Sequence, residues 1–111
     1  MDQKPEDISL TERRSKPRIY CDYPAIIRGH EKDGKNYEEN GRVINLSASG
    51  VFVLLSRSIQ NGSLVSIKIA LPTGNLDWGT SKLGISGMVL RGKTYPDCLY
   101  GVAIKILHYR F

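Results

Sequence analysis

Long apolar runs are missing from this sequence of 111 residues. No stretch approaches the roughly 20 apolar residues that a membrane-spanning helix requires. The N-terminus is polar and acidic, unlike the cationic and then apolar start of a secretory signal. We therefore expect a soluble, cytoplasmic protein with no membrane insertion.

Cysteine and histidine are also scarce, with two residues of each. Cys21 and Cys98 cannot make a zinc site by themselves, and in a reducing compartment we expect two buried free thiols rather than a disulfide. His30 and His108 have no cysteine or acidic residue at the spacing of a metal-ligand set. The sequence therefore predicts no metal and no cofactor.

Catalytic constellations are missing as well. Ser47 and Ser49 lack a Gly-x-Ser-x-Gly elbow and an evident general base. No paired carboxylates lie near a predicted pocket. We therefore expect a protein that is not an enzyme.

What the chain does have is an excess of basic charge, with a formal net charge of +5. The densest positive cluster is the segment Arg13-Arg14-Ser15-Lys16-Pro17-Arg18, which follows an acidic stretch over residues 1–12. Because Pro17 disfavours helix at the residue before it, we interpret residues 13–18 as an irregular loop. The polar and acidic residues 1–12 are interpreted as a mobile tail. Arginine in such a loop holds phosphate bidentately and pairs with the guanine edge, although a solvated basic linker is an open alternative.

The remainder of the chain has the pattern of short β-strands. Residues 63–71 alternate strictly, with Val65, Ile67 and Ile69 on one face. Asp33-Gly34 and Asn61-Gly62 are turn signals between strands. No stretch has a sustained helical period, and there is no internal repeat. The sequence predicts an all-β, antiparallel barrel or sandwich of about six strands, at residues 23–28, 42–46, 51–55, 63–71, 83–91 and 99–107.

A polar turn, Asn45-Leu46-Ser47-Ala48-Ser49-Gly50, connects two of these predicted strands. Asparagine and serine bond to nearby backbone in turns, and glycine accepts a positive φ. An ordinary turn is therefore one interpretation. The other is that the amide and hydroxyl side chains face outward and form hydrogen bonds with a base edge.

Taken together, the arginine cluster and the polar turn resemble the PilZ domain, the cyclic di-GMP receptor family. Arg14 and Arg18 match the Arg-x-x-x-Arg motif of that family. Asn45, Ser47 and Gly50 match every specified position of its Asp/Asn-x-Ser-x-x-Gly motif. The resemblance covers residues 12–107, which is nearly the whole chain.

The resemblance implies a fold and a ligand. The fold is an all-β, six-stranded antiparallel barrel of the split-barrel type over residues 13–111, with a flexible arginine loop at residues 13–18 that clamps the ligand. The ligand is cyclic di-GMP. The phosphates and guanine edges would be bound by Arg14 and Arg18.

Further roles follow from the same resemblance. Asn45 and Ser47 would contact a guanine from the barrel side, and Gly50 would let the ligand approach closely. Arg13 precedes the motif, at a position that influences how many ligands the family holds. An arginine there favours an intercalated pair of ligands.

The expected function is that of a bacterial, cytoplasmic, non-enzymatic receptor. Binding would order the N-terminal loop and signal to a protein partner, because no output module is expected within a chain this short. The alternative form of output is a homodimer. One alternative is a small β-barrel that binds RNA or single-stranded DNA, although aromatic residues make up only 8% of the chain. Another is a ligand-independent adaptor of the same fold.

Overall fold

Six β-strands account for most of the chain that the structure, a computed structural model, describes, namely residues 18–72 and 80–110. The predicted tail over residues 1–12 lies outside these ranges, as does the arginine cluster up to Pro17. All six predicted strands are present, and all but β4, which keeps its predicted length, are longer than their apolar pattern indicated. They are β1 (Ile19–His30), β2 (Asn36–Leu46), β3 (Gly50–Leu55), β4 (Leu64–Pro72), β5 (Thr80–Tyr95) and β6 (Leu99–Arg110).

The strands form a closed barrel in the order β1-β2-β3-β6-β5-β4, and every pair of neighbours is antiparallel. Closure occurs where β4 pairs with β1, with Ile67 opposite Ile27. The predicted six-stranded antiparallel barrel is therefore confirmed. Within the described ranges, no helix has the length and hydropathy that crossing a membrane would need.

Alternating aliphatic residues build the core. On β4, Val65, Ile67 and Ile69 face inward and are buried, while Lys68 between them is exposed. Burying one such side chain contributes about 1.5–3 kcal/mol relative to leaving it in water. The core consists of Ala25, Ile27, Val43, Val51, Val53, Leu55, Val65, Ile67, Ile69, Leu83, Ile85, Val89, Val102 and Ile104.

The two predicted turns at Asp33-Gly34 and Asn61-Gly62 are present in the structure. Gly34 and Gly62 have φ of 89° and 86°, the left-handed conformation that glycine adopts without a steric penalty. In the β5–β6 turn, the non-glycine residues Asp97 and Cys98 adopt this conformation.

Both cysteines are free, but Cys98 is exposed and Cys21 is half-buried, so the expectation that both thiols are buried is wrong. The turn itself is the reason, because Cys98 lies in the exposed turn that connects β5 to β6.

A polar cluster covers one end of the barrel. Tyr37 faces inward there, over Gly29 of β1, where a β-carbon would overlap its hydroxyl. The Arg57 guanidinium stacks 4.1 Å from the Tyr37 ring centroid and bonds to Glu31 at 2.6 Å. Its other nitrogen lies 3.8 Å from a Glu39 oxygen. These side chains close the end of the barrel that lies away from the Asn45 turn.

Burial makes the Tyr37 phenol a stability determinant. Its hydroxyl is buried, and it has no hydrogen-bond partner among the described residues. We expect Tyr37→Phe to raise the free energy of unfolding by about 1 kcal/mol at pH 7, because an unpaired polar atom leaves the interior while the ring still packs against Arg57. Urea denaturation measures this difference. A less stable variant would contradict the expectation.

The same residue predicts a pH dependence. Burial raises the pKa of Tyr37 above its ordinary value of 10.0, and the nearby Glu31 and Glu39 raise it further while Arg57 lowers it. The folded state therefore holds the phenolic proton more tightly than the unfolded state does. The stability that this proton contributes is complete below pH 10 and is lost as the pH rises through the folded pKa. We expect a smaller alkaline loss of stability in Tyr37→Phe, measured by urea denaturation from pH 8 to 11.

Candidate ligand-binding site

A β-bulge in β2 decides which way Asn45 faces. Val43 is fully buried, so in a regular strand Asn45, two residues later, would also point into the barrel. The register with β3 shifts between these residues, and Ile44 is the extra residue. Asn45 therefore pairs with Phe52 on the outer face, and Leu46 turns inward opposite Val51.

A second irregularity, in β1, lies beside the first. The pairing with β2 shifts between Tyr20, which is opposite Asn45, and Tyr23. Within this segment the Cys21 thiol donates to the Val43 carbonyl at 3.4 Å, and Asp22 forms an ion pair with Arg42. Burial raises the pKa of Cys21, and the charge of Asp22 raises it further, so the thiol stays protonated at neutral pH.

An exposed aromatic ring results from this irregularity. Tyr20 stands next to Asn45 and is 72% exposed. The sequence gives no signal of this, because the shift in register is not visible in an apolar pattern. The outer surface here therefore presents an amide next to a free aromatic ring.

Ser47 organises the turn that follows. Its hydroxyl oxygen accepts hydrogen bonds from the backbone N–H of Ser49 at 3.3 Å and of Gly50 at 3.2 Å. Its own N–H donates to the Gly50 carbonyl at 2.9 Å. The hydroxyl that was expected to face a ligand therefore also determines the conformation of its turn.

Space, rather than a positive φ, explains the glycine at position 50. Among the described glycines, only Gly34 and Gly62 adopt positive φ, so the backbone conformation at position 50 does not itself require glycine. A β-carbon at Gly50 would stand 3.3 Å from the Ile104 carbonyl oxygen. The strand-to-strand approach is tight here because β3 pairs directly with β6, with Gly50 opposite Lys105.

Four of the six predicted site residues lie at the same end of the barrel. Ile19 pairs with Leu46, so Arg18, the residue before Ile19, comes next to Ser47. Arg18 is exposed. The site as described contains Arg18, Asn45, Ser47 and Gly50, while Arg13 and Arg14 lie outside the described residues.

An apolar opening adjoins this site. Inward-facing residues at the same end of the barrel surround a cavity of about 290 Å³ that reaches the turn at Ser47. The site therefore has a cationic and polar edge next to an apolar one. The cavity is lined by Ile19, Leu46, Ser47, Ala48, Leu83, Ile85, Ile106 and Tyr109.

Comparison with protein families identifies this arrangement. The family model described as PilZ domain matches residues 12–108. The chain belongs to the PilZ domain family. The match spans both motifs, from Arg14 and Arg18 to the Asn45–Gly50 turn, so the predicted family is confirmed.

Solved structures similar to this PilZ domain show the same fold. The Bacillus subtilis inhibitor of motility MotI/DgrA has a TM-score of 0.69 at 22% identity, over 86% of this chain and 43% of its own. The PilZ domain of Escherichia coli YcgR with c-di-GMP has a TM-score of 0.56 at 17% identity, over 86% of this chain and 79% of its own. The K. pneumonia MrkH–c-di-GMP complex has a TM-score of 0.56 at 16% identity, over 86% of this chain and 45% of its own. This chain thus spans less than half of MotI and of MrkH. A search of curated proteins finds no match.

The hydrogen bonds of Ser47 predict its contribution to stability. Ser47→Ala leaves two backbone N–H groups without their acceptor, and we expect a loss of about 1 kcal/mol in the free energy of unfolding. Ser47→Thr keeps the hydroxyl and is expected to retain most of that stability. Chemical denaturation of both variants measures the difference. Ser66→Ala, at an exposed strand position, is the control. Equal stabilities of Ser47→Ala and the control would contradict this role.

Proposed function

We propose that this PilZ domain protein is a non-enzymatic receptor for cyclic di-GMP. The observation that carries the proposal is the convergence of Arg18, Asn45, Ser47 and Gly50 at one end of the barrel. Two further points support it. The family match covers both motifs, and the structures of YcgR and MrkH contain c-di-GMP.

The chemistry of the site suits a cyclic dinucleotide. Its two phosphodiester groups each carry a negative charge, which a guanidinium binds through charge-assisted hydrogen bonds of about 1.5–3 kcal/mol each. The outward Asn45 amide supplies a donor and an acceptor for a guanine edge. The exposed Tyr20 ring beside it offers a surface on which a purine can stack. A few such contacts reach micromolar affinity, about −8 kcal/mol, after the cost of ordering the binding residues.

The proposed mechanism couples binding to order in residues 13–18. Arg14 and Arg18 act together on one ligand, so binding draws the residues between them onto the barrel surface. The ordered segment then changes the surface that a protein partner meets. A homodimer that rearranges on binding is the other form that this output could take.

Calorimetric titration with cyclic di-GMP tests the proposal. We expect wild-type protein to bind, and Arg14→Ala, Arg18→Ala and Asn45→Ala each to weaken binding about tenfold or more, because each variant loses charge-assisted or bidentate hydrogen bonds. Arg28→Ala is the matched control. Arg28 is an exposed arginine at the other end of β1, where it pairs with Glu38.

Different results contradict different parts of the proposal. No heat with the wild-type protein would refute cyclic di-GMP binding and favour the ligand-independent adaptor. Unchanged affinity in both arginine variants would leave the ligand but refute the assigned site. An equal loss in Arg28→Ala would show that only general charge is being measured.

The number of ligands bound tests the role of Arg13. An arginine at this position can stack on a second guanine, so we expect two nucleotides per protomer in wild type and one in Arg13→Ala. The stoichiometry of the same titration gives the answer, and analytical ultracentrifugation checks that the protomer count is correct. A single nucleotide per wild-type protomer would refute the intercalated pair.

The basic charge favours one second candidate, an RNA or single-stranded DNA binder. The salt dependence of binding separates the two functions. A nucleic acid held through six or more phosphates loses about a thousandfold or more in affinity between 50 and 200 mM salt, whereas a ligand with two phosphates loses far less.

A further inference from the structure

A groove crosses the outer face of the barrel, away from the turn at Ser47. Two neighbouring rows of outward-facing residues line it, running perpendicular to the strands. One row is Lys68, Ile26 and Asn40, and the next is Pro24, Arg42 and Leu54. Ala70 and its partner Lys82 extend the groove at one side, and Ser56 and Leu99 at the other. Its volume is about 550 Å³.

The floor of the groove is aliphatic. Ile26 and Leu54 are half-buried between their neighbours, and Pro24 lies exposed beside them. Leu99 is 36% exposed at one end of the groove. Aliphatic side chains held in a concave surface are the usual floor of a binding groove. The groove can therefore remove apolar groups of a bound segment from water.

The charge of the groove is of one sign. Arg42, Lys68 and Lys82 belong to its lining, and none of the described residues that line it carries a carboxylate. Lys68 is opposite Gly84 and Lys82 is opposite Ala70, so the two ammonium groups are diagonal neighbours on adjacent strands. Both lysines are exposed. The two lysines therefore favour an acidic segment.

Arg42 has a defined position in this groove. It bonds to the side chain of Asp22, in the β1 segment where the register shifts, and its outer nitrogen reaches the Asp22 carbonyl at 3.4 Å. This pair holds the guanidinium along the groove, and 52% of the arginine side chain remains exposed. Its remaining donors are available to a carboxylate.

The dimensions fit a short peptide segment. The groove follows the curved wall of the closed barrel over five strands, from β5 through β4, β1 and β2 to β3, which at about 4.8 Å between strands is an arc of about 19 Å. An extended segment of about six residues can follow this arc, whereas a straight helix cannot.

We propose that this groove is a docking site for an acidic, amphipathic segment of a protein partner. Aliphatic side chains of the segment would lie on Ile26 and Leu54, and its carboxylates would pair with Lys68, Lys82 and Arg42. This proposal goes beyond nucleotide binding and does not depend on it.

Two other occupants fit less well. A single-stranded nucleic acid gains much of its affinity by stacking bases on aromatic rings, and none of the described residues lining the groove is aromatic. A second copy of the chain, related by two-fold symmetry, would bring two cationic grooves together, and they would repel each other.

A synthetic peptide tests the proposal on the nucleotide-free, full chain. The probe is a fluorescein-labelled 12-residue peptide that alternates leucine and glutamate. Fluorescence anisotropy measures its binding, and ¹H–¹⁵N spectra locate it. We expect saturable binding, with the largest shifts at the amides of Ile26, Leu54 and Ala70. A peptide that alternates serine and glutamate should bind at least about tenfold more weakly, because it has no aliphatic side chains for the floor.

Paired charge reversals supply the matched control. Lys68→Glu with Lys82→Glu should weaken binding of the leucine–glutamate peptide about tenfold, because two attractive pairs become repulsive. Lys32→Glu with Lys35→Glu makes the same change of charge in the β1–β2 turn, outside the groove, and should change binding by less than about twofold. Spectra of the unbound variants check that each is folded.

Several outcomes would overturn the proposal. These are an absence of peptide binding, equal affinity for the two peptides, equal loss in the two double variants, or shifts confined to other surfaces. Binding of an oligothymidylate in the groove without binding of the peptide would assign the groove to nucleic acid. Self-association that Lys68→Glu with Lys82→Glu abolishes would assign it to a second copy. The nucleotide titration is separate, so either proposal can fail while the other stands.

Discussion

The division of every strand between the inside and the outside of a closed barrel is the constraint on which the rest of this structure depends. Side chains alternate along a strand, so one buried residue determines the direction of all the others until the register changes. In β2 the register changes at Ile44. This single extra residue keeps the polar Asn45 out of the aliphatic core and puts Leu46 into it. The proposed site exists on the surface because of this bulge.

The two ends of the barrel differ in chemistry as a consequence of what faces inward there. At one end Tyr37 and Arg57 cover the core with a polar cluster that includes Glu31. At the other end the inward-facing residues surround an apolar cavity next to Ser47. A ligand or an adjoining segment at the second end therefore finds hydrophobic surface beside Arg18 and Asn45. The groove that contains Lys68 lies on the barrel wall and is a separate surface, in which Arg42 pairs with Asp22 of the β1 irregularity.

Much of the fold could be predicted, because strict alternation such as Val65-Ser66-Ile67 is specific to a strand with one buried face. The turns at Gly34 and Gly62 were also predictable, since few residues other than glycine adopt their φ. The exposure of Tyr20 and the conformation of Gly50 were not. Both depend on which strand lies alongside and in what register, and those are long-range properties. Of the site, the motif positions could be identified from the sequence, and their common location at one end of the barrel follows from the pairing of β1 with β2.

By itself, the amino-acid sequence determined the all-β class, the inward faces of the strands and the family, because each of these is written in local spacing. Only the tertiary structure decided that Asn45 faces outward, that the Ser47 hydroxyl holds its own turn, and that Lys68 and Lys82 share a groove with Arg42. The physical reason is the closure of the barrel. Pairing of β4 with β1 brings together side chains from distant parts of the chain, and a bulge in one strand changes which of them meet.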